Sequence, residues 1–339
     1  MKLNLSVKVF EMPLKHPFTI SRYTVTTQKT VIVSISNGDY TGYGEATANP
    51  YYESTVEKIQ TSIAKVKTLV EDSLELHPSE LWNRLEPNLK EDYFALCAID
   101  CAYWDLYART QQKTLRSFWS KKAFKTPLTN YTIGIDSVEQ MCQKVGETPW
   151  PNYKLKLGTT YDLEIVSEIR RISDALLRID ANCGWTLKEA LKTSTALKAL
   201  QVEFIEQPLP VHAVEDMKTL KLKSALPVIA DESCKTLADV KVCAEQFHGI
   251  NIKLMKCGGI TPALKMIEKG RALGLQVMAG CMTESSIGIS NLVQLAPLLD
   301  AIDADGAMLL KNDIATGVTF NQGAIVFSQK SGSGAELII

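Results

Sequence analysis

The sequence has no run approaching the ~20 apolar residues that a bilayer span needs, and no block of like charge. Its net charge is −1, from 37 basic and 38 acidic residues among 339. That removes the main electrostatic argument for nucleic acid or a membrane surface as partner. The eight cysteines include no C-x-x-C pair. Cys97 and Cys101, four apart on an expected helix, suit packing better than ligation, and scattered cysteines fit a reducing compartment. The first residues, MKLNLSVKVFEMPLKHP, alternate like a strand and lack the apolar centre of a signal peptide. Low-complexity segments and long linkers are absent. A cytoplasmic enzyme is expected.

The chain can bury a large core, and its length fits two domains or a barrel with an appendage. Residues 1–125 read as an α+β domain. Leu3, Leu5, Val7 and Val9 alternate, residues 30–35 are rich in β-branched side chains, and Asn37-Gly38 supplies a hairpin turn before Tyr40 to Glu45 returns. A helix follows, with Ser54 and Glu57 as a capping box, and a second spans about 91–109. From about residue 128 the pattern alternates strictly. Strands are expected at 129–135, 153–157, 177–182, 203–207, 227–231, 250–255, 275–281 and 300–304. Helix signals lie between them: Thr186 with Glu189, Thr261-Pro262 as cap and first position, and Gly274 as a stop. The expected domains are a barrel over 126–314 and a cap over 1–125, with strands in a tail, 315–339, that returns to the cap. An open doubly wound sheet is the competitor, but its ligands gather at one switch point.

Five short apolar runs each end in a residue that can hold a proton or a cation: Lys156, Asp180, Glu206, Asp231 and Lys253. They stand 24, 26, 25 and 22 residues apart, about one βα unit of a ~250-residue eightfold barrel. Asp180, Glu206 and Asp231 would then offer three hard oxygen ligands on one rim. Without a cation they would raise one another's pKa sharply, and Mg²⁺ relieves that repulsion. The lack of histidine among them argues against zinc.

Lys154 and Lys156 share a strand face, so mutual repulsion and a nearby cation are expected to lower lysine pKa, as a general base requires. A solvated pair on the outer face is the plainer reading of K-x-K. Lys253 lies beyond the carboxylates, with Asn251 on its face, and Lys256 has the parity of a solvated residue. Asp303 and Asp305 share a face at the last strand's end, where they could receive an ammonium group; an Asp-Gly turn is the alternative. Met278 to Ser286 closes the seventh unit, with Ser285 as a helix cap.

Together, Lys154-Leu155-Lys156, Asp180-Ala181-Asn182, Glu206-Gln207-Pro208, Asp231-Glu232-Ser233 and Asn251-Ile252-Lys253 resemble the enolase superfamily, in its muconate lactonising enzyme subgroup. The resemblance covers essentially the whole chain. It implies a modified (β/α)₇β TIM-type barrel with an α+β capping domain, and Mg²⁺ held by Asp180, Glu206 and Asp231. It also implies abstraction of a proton α to a carboxylate. Asp303-Ala304-Asp305 is similar to the D-x-D of dipeptide epimerases of the L-Ala-D/L-Glu type, where the pair binds the substrate's ammonium.

By that resemblance Lys156 and Lys253 serve opposite faces in a 1,1-proton transfer, Lys154 tunes Lys156, and the C-terminal residue is inverted. Cap loops at about 15–28 (Phe18, Ile20, Arg22) and 47–53 (Tyr51, Tyr52) would contact the substrate's side chains. Arg22 suits an acidic side chain or open solvent, and the aromatic residues suit an apolar one. The expected partner is a small dipeptide, and a homo-oligomer is allowed. Competing activities are muconate cycloisomerase, o-succinylbenzoate synthase and N-acylamino acid racemase. A non-catalytic barrel holding a carboxylate through Mg²⁺ is a third class.

Overall fold

The computed structural model describes residues 2–120 and 125–338. The N-terminal part opens with an antiparallel sheet of β1 (Asn4–Thr19), β2 (Thr24–Ser36) and β3 (Thr41–Thr47). Three helices follow: α1 (Val56–Glu71), α2 (Pro78–Leu89) and α3 (Tyr93–Thr110). The cap of α1 is Thr55, whose hydroxyl accepts from Lys58 N, rather than the expected Ser54. Residues 15–19 and 24–28 belong to β1 and β2, so the expected loop shrinks to the turn at 20–23.

Helix α3 is buried nearly all round and lies directly on β3. A Cβ on Gly42 or Gly44 would come 2.2 or 2.0 Å from the Ala102 or Ala98 carbonyl oxygen. These two positions therefore admit only glycine at the present spacing. Cys97 and Cys101 on α3 are buried with sulfurs 3.9 Å apart.

The second part alternates strand and helix. In chain order it runs β4 (Tyr131–Ile133), α4 (Val138–Glu147), β5 (Asn152–Lys156), α5 (Asp162–Ile172), β6 (Leu176–Asp180), α6 (Leu187–Ala199), β7 (Val202–Glu206), α7 (Val214–Lys223), β8 (Val228–Ala230) and α8 (Asp239–Gln246). Then come β9 (Gly249–Ile252), the helical turn α9 (Leu254–Cys257), α10 (Ile260–Ala272), β10 (Gln276–Gly280), α11 (Ser286–Val293) and β11 (Ala301–Asp303).

Strands β4 to β11 pair in parallel in unbroken order, and a parallel bridge between Thr129 and Ile302 closes the ring. All eight expected strands are present. This is the eight-stranded parallel barrel, with its α+β cap, that the spacing implied. Phe204, Ile229, Met278 and Ala301 fill the lower interior. Arg178 spans that interior, from Glu203 at 2.7 Å to the Ile302 carbonyl at 3.1 Å.

The capping box at Thr186 and Glu189 forms as expected, and Gly274 follows α10 with φ +72°. Thr261 is not a cap, because α10 begins a residue earlier after Gly259. Its first turn is held from the other domain: Asp100 on α3 accepts from Thr261 N at 2.9 Å and Thr261 Oγ1 at 2.7 Å. Glu45 on β3 does the same for α11, accepting from Ser285 N, Ser285 Oγ and Gly288 N at 2.5–3.1 Å. Two buried carboxylates of the cap thus complement the positive ends of two barrel helices.

In the tail, β12 (Ala315–Thr316) pairs with β15 (Glu336–Leu337), and Arg109 on α3 bonds Glu336 at 2.9 Å. Between them, β13 (Thr319–Asn321) and β14 (Ala324–Val326) form a hairpin whose Gly323 carbonyl accepts from Thr129 N at the barrel foot.

Candidate active site

Parallel register brings the ladder residues together. Lys156 pairs with Asp180 across β5 and β6, and Asp180 pairs with Glu206 across β6 and β7. Asp231 directly follows β8 and Lys253 directly follows β9. All are buried at one end of the barrel beneath the β1–β2 turn and the Pro50–Tyr52 turn.

One oxygen from each of Asp180, Glu206 and Asp231 lies within 4.8 Å of the others. That spread suits a cation with oxygen ligands at ~2.1 Å, whose trans ligands stand about 4.2 Å apart. The donor set fits as well, being three buried carboxylates and no sulfur or imidazole. Glu206 Oε2 accepts no hydrogen bond; Lys154 Nζ stands 2.8 Å away, off the angle that such a bond needs. A hard divalent cation such as Mg²⁺ therefore fits these residues.

Ammonium groups sit against the same oxygens. Lys156 Nζ is 2.6 Å from Asp180 Oδ2, and Lys253 Nζ is 2.8 Å from Asp231 Oδ2. Lys154 Nζ reaches Glu206 at 2.8 Å, Asp303 at 2.9 Å and Asp180 at 3.3 Å. Burial alone would lower the pKa of Lys154 and Lys253, but the carboxylates outweigh it and hold both well above the ordinary lysine value. For Lys154 the expected lowering is thus reversed, because Asp303, Glu206 and Asp180 all stand within 3.3 Å of its ammonium. Burial likewise works to raise Asp180 and Asp231, yet the adjacent lysines bring both below the usual carboxylate range. Burial with the Asp180 and Asp231 charges pushes Glu206 up to about 7 against Lys154. A divalent cation would compete for these oxygens and remove the attraction that now retains the lysine protons.

Lys256 is the clearest departure from the sequence reading. It is not solvated; its side chain is 0% exposed. Its Nζ donates to Asp231 Oδ1 at 2.6 Å, Asp231 O at 2.5 Å and Asn251 O at 3.1 Å. Strand β9 ends at Ile252 rather than 255, and the α9 turn places Lys256 three residues on from Lys253, on the same side. Strand parity does not apply there.

Asp303 accepts from Asn130 Nδ2 at 2.8 Å and Lys154 Nζ at 2.9 Å. Asp305 accepts from Thr132 N at 2.5 Å and Thr132 Oγ1 at 3.2 Å. Both carboxylates line the same cavity as the three lysines. Burial opposes the ionisation of Asp303, but Lys154 keeps it below the usual range; burial and the Asp303 charge push Asp305 well above. Both carboxylates face the cavity.

The cap closes the other side of that cavity with Phe18, Ile20, Arg22, Tyr51 and Tyr52. Arg22 is not a free cation. Its Nη2 lies 2.7 Å from Glu232 Oε1, its Nη1 lies 2.8 Å from the Asn182 carbonyl, and its guanidinium stacks 4.1 Å over Tyr51. Tyr51 is pushed up to about 12 by burial and the Cys183 and Glu232 charges.

The sequence motifs assigned no role to Asn130, Thr132, Gln207 or Glu232, and strand parity placed Lys256 in solvent. Gln207 Oε1 accepts from both Asp231 N and Ser233 N at 3.1 Å and so sets the bend that aims Asp231. Its φ of +33°, at the end of a strand, is a conformation no composition signal announces. Lys256 alone had one, since it stands at helical spacing from Lys253 just before Gly258-Gly259.

Residues 4–118 match the mandelate racemase / muconate lactonizing enzyme N-terminal domain, and residues 136–338 match the enolase C-terminal domain-like family. The chain is 47% identical over 336 residues to the L-Ala-D/L-amino acid epimerase of Flavobacterium johnsoniae, covering 99% of this chain and 100% of that one. It is 46% identical to the enzyme of the same name from a Maribacter species, covering 99% of each. Among solved structures, a substrate-liganded L-Ala-D/L-Glu epimerase from Bacillus subtilis superposes with a TM-score of 0.94 at 27% identity, over 99% of each chain. A dipeptide epimerase from Cytophaga hutchinsonii, complexed with Mg and D-Ala-L-Val, gives 0.92 at 25% identity, over 100% of this chain and 96% of that one. The chain belongs to the muconate lactonizing enzyme branch of the enolase superfamily.

Proposed function

We propose that this enolase-superfamily member is a Mg²⁺-dependent dipeptide epimerase that inverts the α-carbon of the C-terminal residue. The observation that carries this is the placement of groups around the ring. Strands β5 and β9 stand four apart among eight, so Lys156 and Lys253 face one another across the barrel mouth. Strands β7 and β11 also stand four apart, so the carboxylates centred on Glu206 face Asp303 and Asp305. These two diameters cross. A dipeptide laid from its carboxylate at the Asp180–Glu206–Asp231 cluster to its ammonium at Asp303 and Asp305 has one lysine on each side of its C-terminal α-carbon.

Bound Mg²⁺ would supply Lewis-acid stabilisation of the negative charge that develops on the substrate carboxylate. The rest falls to the chain's own residues. One of Lys156 and Lys253, as the neutral amine, takes the α-proton, and the C–H electron pair moves into the adjoining carboxylate. The other, as the ammonium, delivers a proton to the opposite face of the same carbon. The two lysines exchange protonation states, and proton exchange with solvent after product release restores them. Lys154, tied to three carboxylates, remains an ammonium throughout and adds positive charge beside the reacting carboxylate. The Arg22 turn and Tyr51 cover part of the cavity mouth.

The substrate's C-terminal side chain would lie towards Arg22, Ile20 and Tyr51. Arg22 already has a carboxylate partner, so we assign no preference for an acidic residue there and favour uncharged side chains. All eight cysteines are free thiols, which supports the cytoplasm as its compartment. Among the described residues no helix is long and apolar enough to cross a membrane.

The test is incubation with dipeptides and Mg²⁺ in D₂O, read by mass spectrometry and by a chiral assay. One deuterium gained per inversion is expected. Absence of both exchange and inversion across a dipeptide library would overturn the reading.

A further inference from the structure

Two cavities meet at one wall. The first, about 90 Å³, holds Asp303, Asp305 and the lysines. The second, about 30 Å³, lies beside β4 and is lined by Pro17, Tyr131 and Ile133 together with polar residues that include His16, Lys144 and Glu147. Phe18, Thr132 and Leu309 alone line both. That wall adjoins the acidic pair directly, because Thr132 N donates to Asp305 at 2.5 Å. In a dipeptide the N-terminal side chain leaves the carbon that bears the ammonium. An ammonium held by Asp303 and Asp305 therefore brings that side chain against Phe18, Thr132 and Leu309.

Phe18 is also fixed in place. It pairs with Val25 in the β1–β2 ladder, and the next residue is sewn to the barrel by Ile135 N donating to the Thr19 carbonyl at 2.8 Å. Gly134 permits this approach: a Cβ there would meet Thr19 N and O at 3.2 Å and Phe18 Cδ2 at 3.3 Å. The ring is thus held by backbone bonds on both strands and does not belong to a freely moving lid.

We propose that Phe18 is the specificity-determining wall that restricts the N-terminal residue to a small side chain, and that the cavity behind it, apolar at Pro17, Tyr131 and Ile133, accepts larger apolar ones when the ring is removed. This rests on the dipeptide reading above. Thr132 cannot serve as the cut, since it holds Asp305, whereas Phe18→Ala leaves every backbone bond of the wall intact.

The experiment compares kcat/KM for two dipeptides that share a C-terminal residue and begin with alanine or leucine. The native enzyme should favour alanine. Phe18→Ala should raise the leucine-to-alanine ratio at least ~10-fold, the scale on which a hydrophobic pocket discriminates by size. A ratio on one preparation does not depend on the fraction folded. Leu309→Ala, opening the same wall from the other domain, should move the ratio in the same direction. An unmoved ratio in both variants, or a native enzyme that takes leucine as readily as alanine, overturns the inference. A native enzyme inactive on every dipeptide instead overturns the reading on which it rests.

Discussion

Replacing Lys256 by methionine keeps a side chain of similar length and removes the only cation that touches Asp231 Oδ1 among the described residues. It also strips a donor from the Asp231 and Asn251 carbonyls. The partners are 0% and 1% exposed, so solvent cannot take over. Removing one member of a buried ion pair is strongly destabilising, by about 3–5 kcal/mol. Lys253 still neutralises Oδ2 at 2.8 Å, which places the loss at the lower end, ~3 kcal/mol. At roughly 2 °C per kcal/mol for a large chain, Tm should fall by about 6 °C.

Mg²⁺ should shrink the difference, because the variant presents a more negative site and gains more from cation binding by linkage. The assay is urea or thermal unfolding followed by circular dichroism, with EDTA and again with saturating Mg²⁺. A loss below about 1 kcal/mol in EDTA, or a loss of equal size in both conditions, would refute the assignment of Lys256 as the counter-charge of Asp231.

Three other outcomes test the site. Lys156→Ala and Lys253→Ala should each abolish epimerisation, while each leaves solvent exchange of one stereoisomer's α-proton; NMR in D₂O that shows both stereoisomers exchanging in both variants would sink the two-base arrangement. Asp303→Asn with Asp305→Asn should raise the dipeptide KM by at least ~30-fold, equivalent to about 2 kcal/mol for a charge-assisted contact, whereas unchanged KM would remove the ammonium site. Glu284 is pushed up to about 8 by burial and by the Glu45 charge. Its unfolded value is near 4.5, so its contribution is complete below that pH and is lost progressively up to about pH 8. Glu284→Gln should flatten part of the decline in stability between those values, and unfolding curves at pH 5, 7 and 9 would show an unaltered slope if the buried carboxyl were not responsible.

Much of the chemistry was legible because a barrel repeats. One strand, one helix and two loops consume a nearly constant number of residues, so Lys156, Asp180, Glu206, Asp231 and Lys253 appear at a period that the eye can find. Strand parity then assigned Lys154 and Asn251 correctly to the interior, where both are buried. The same parity failed at Lys256, three residues later, because β9 ends at Ile252 and the chain turns helical. Helix α2 was missed for a related reason: it begins at Pro78 and carries Pro87 within it, so the local signals read as breaks although Leu81, Leu85 and Leu89 pack into the core.

Contacts between distant segments have no such period. Arg22 meets Glu232 across 210 residues, and Glu45 meets Ser285 across 240. Neither partner announces the other, and each is an ordinary surface residue type on its own. This separates the two halves of the enzyme's problem. The proton chemistry rests on residues that one repeated element delivers to one rim, so any chain with this ladder inherits it. On the proposals made above, selection among substrates falls to the cap residues that face the barrel cavity, Phe18 and Arg22. It can therefore change through one or two substitutions that leave the ladder untouched. Two buried carboxylates, Asp100 and Glu45, keep that seam in register by capping α10 and α11 from the other domain. Relatives with an identical rim should then differ in substrate first at the residues of this seam.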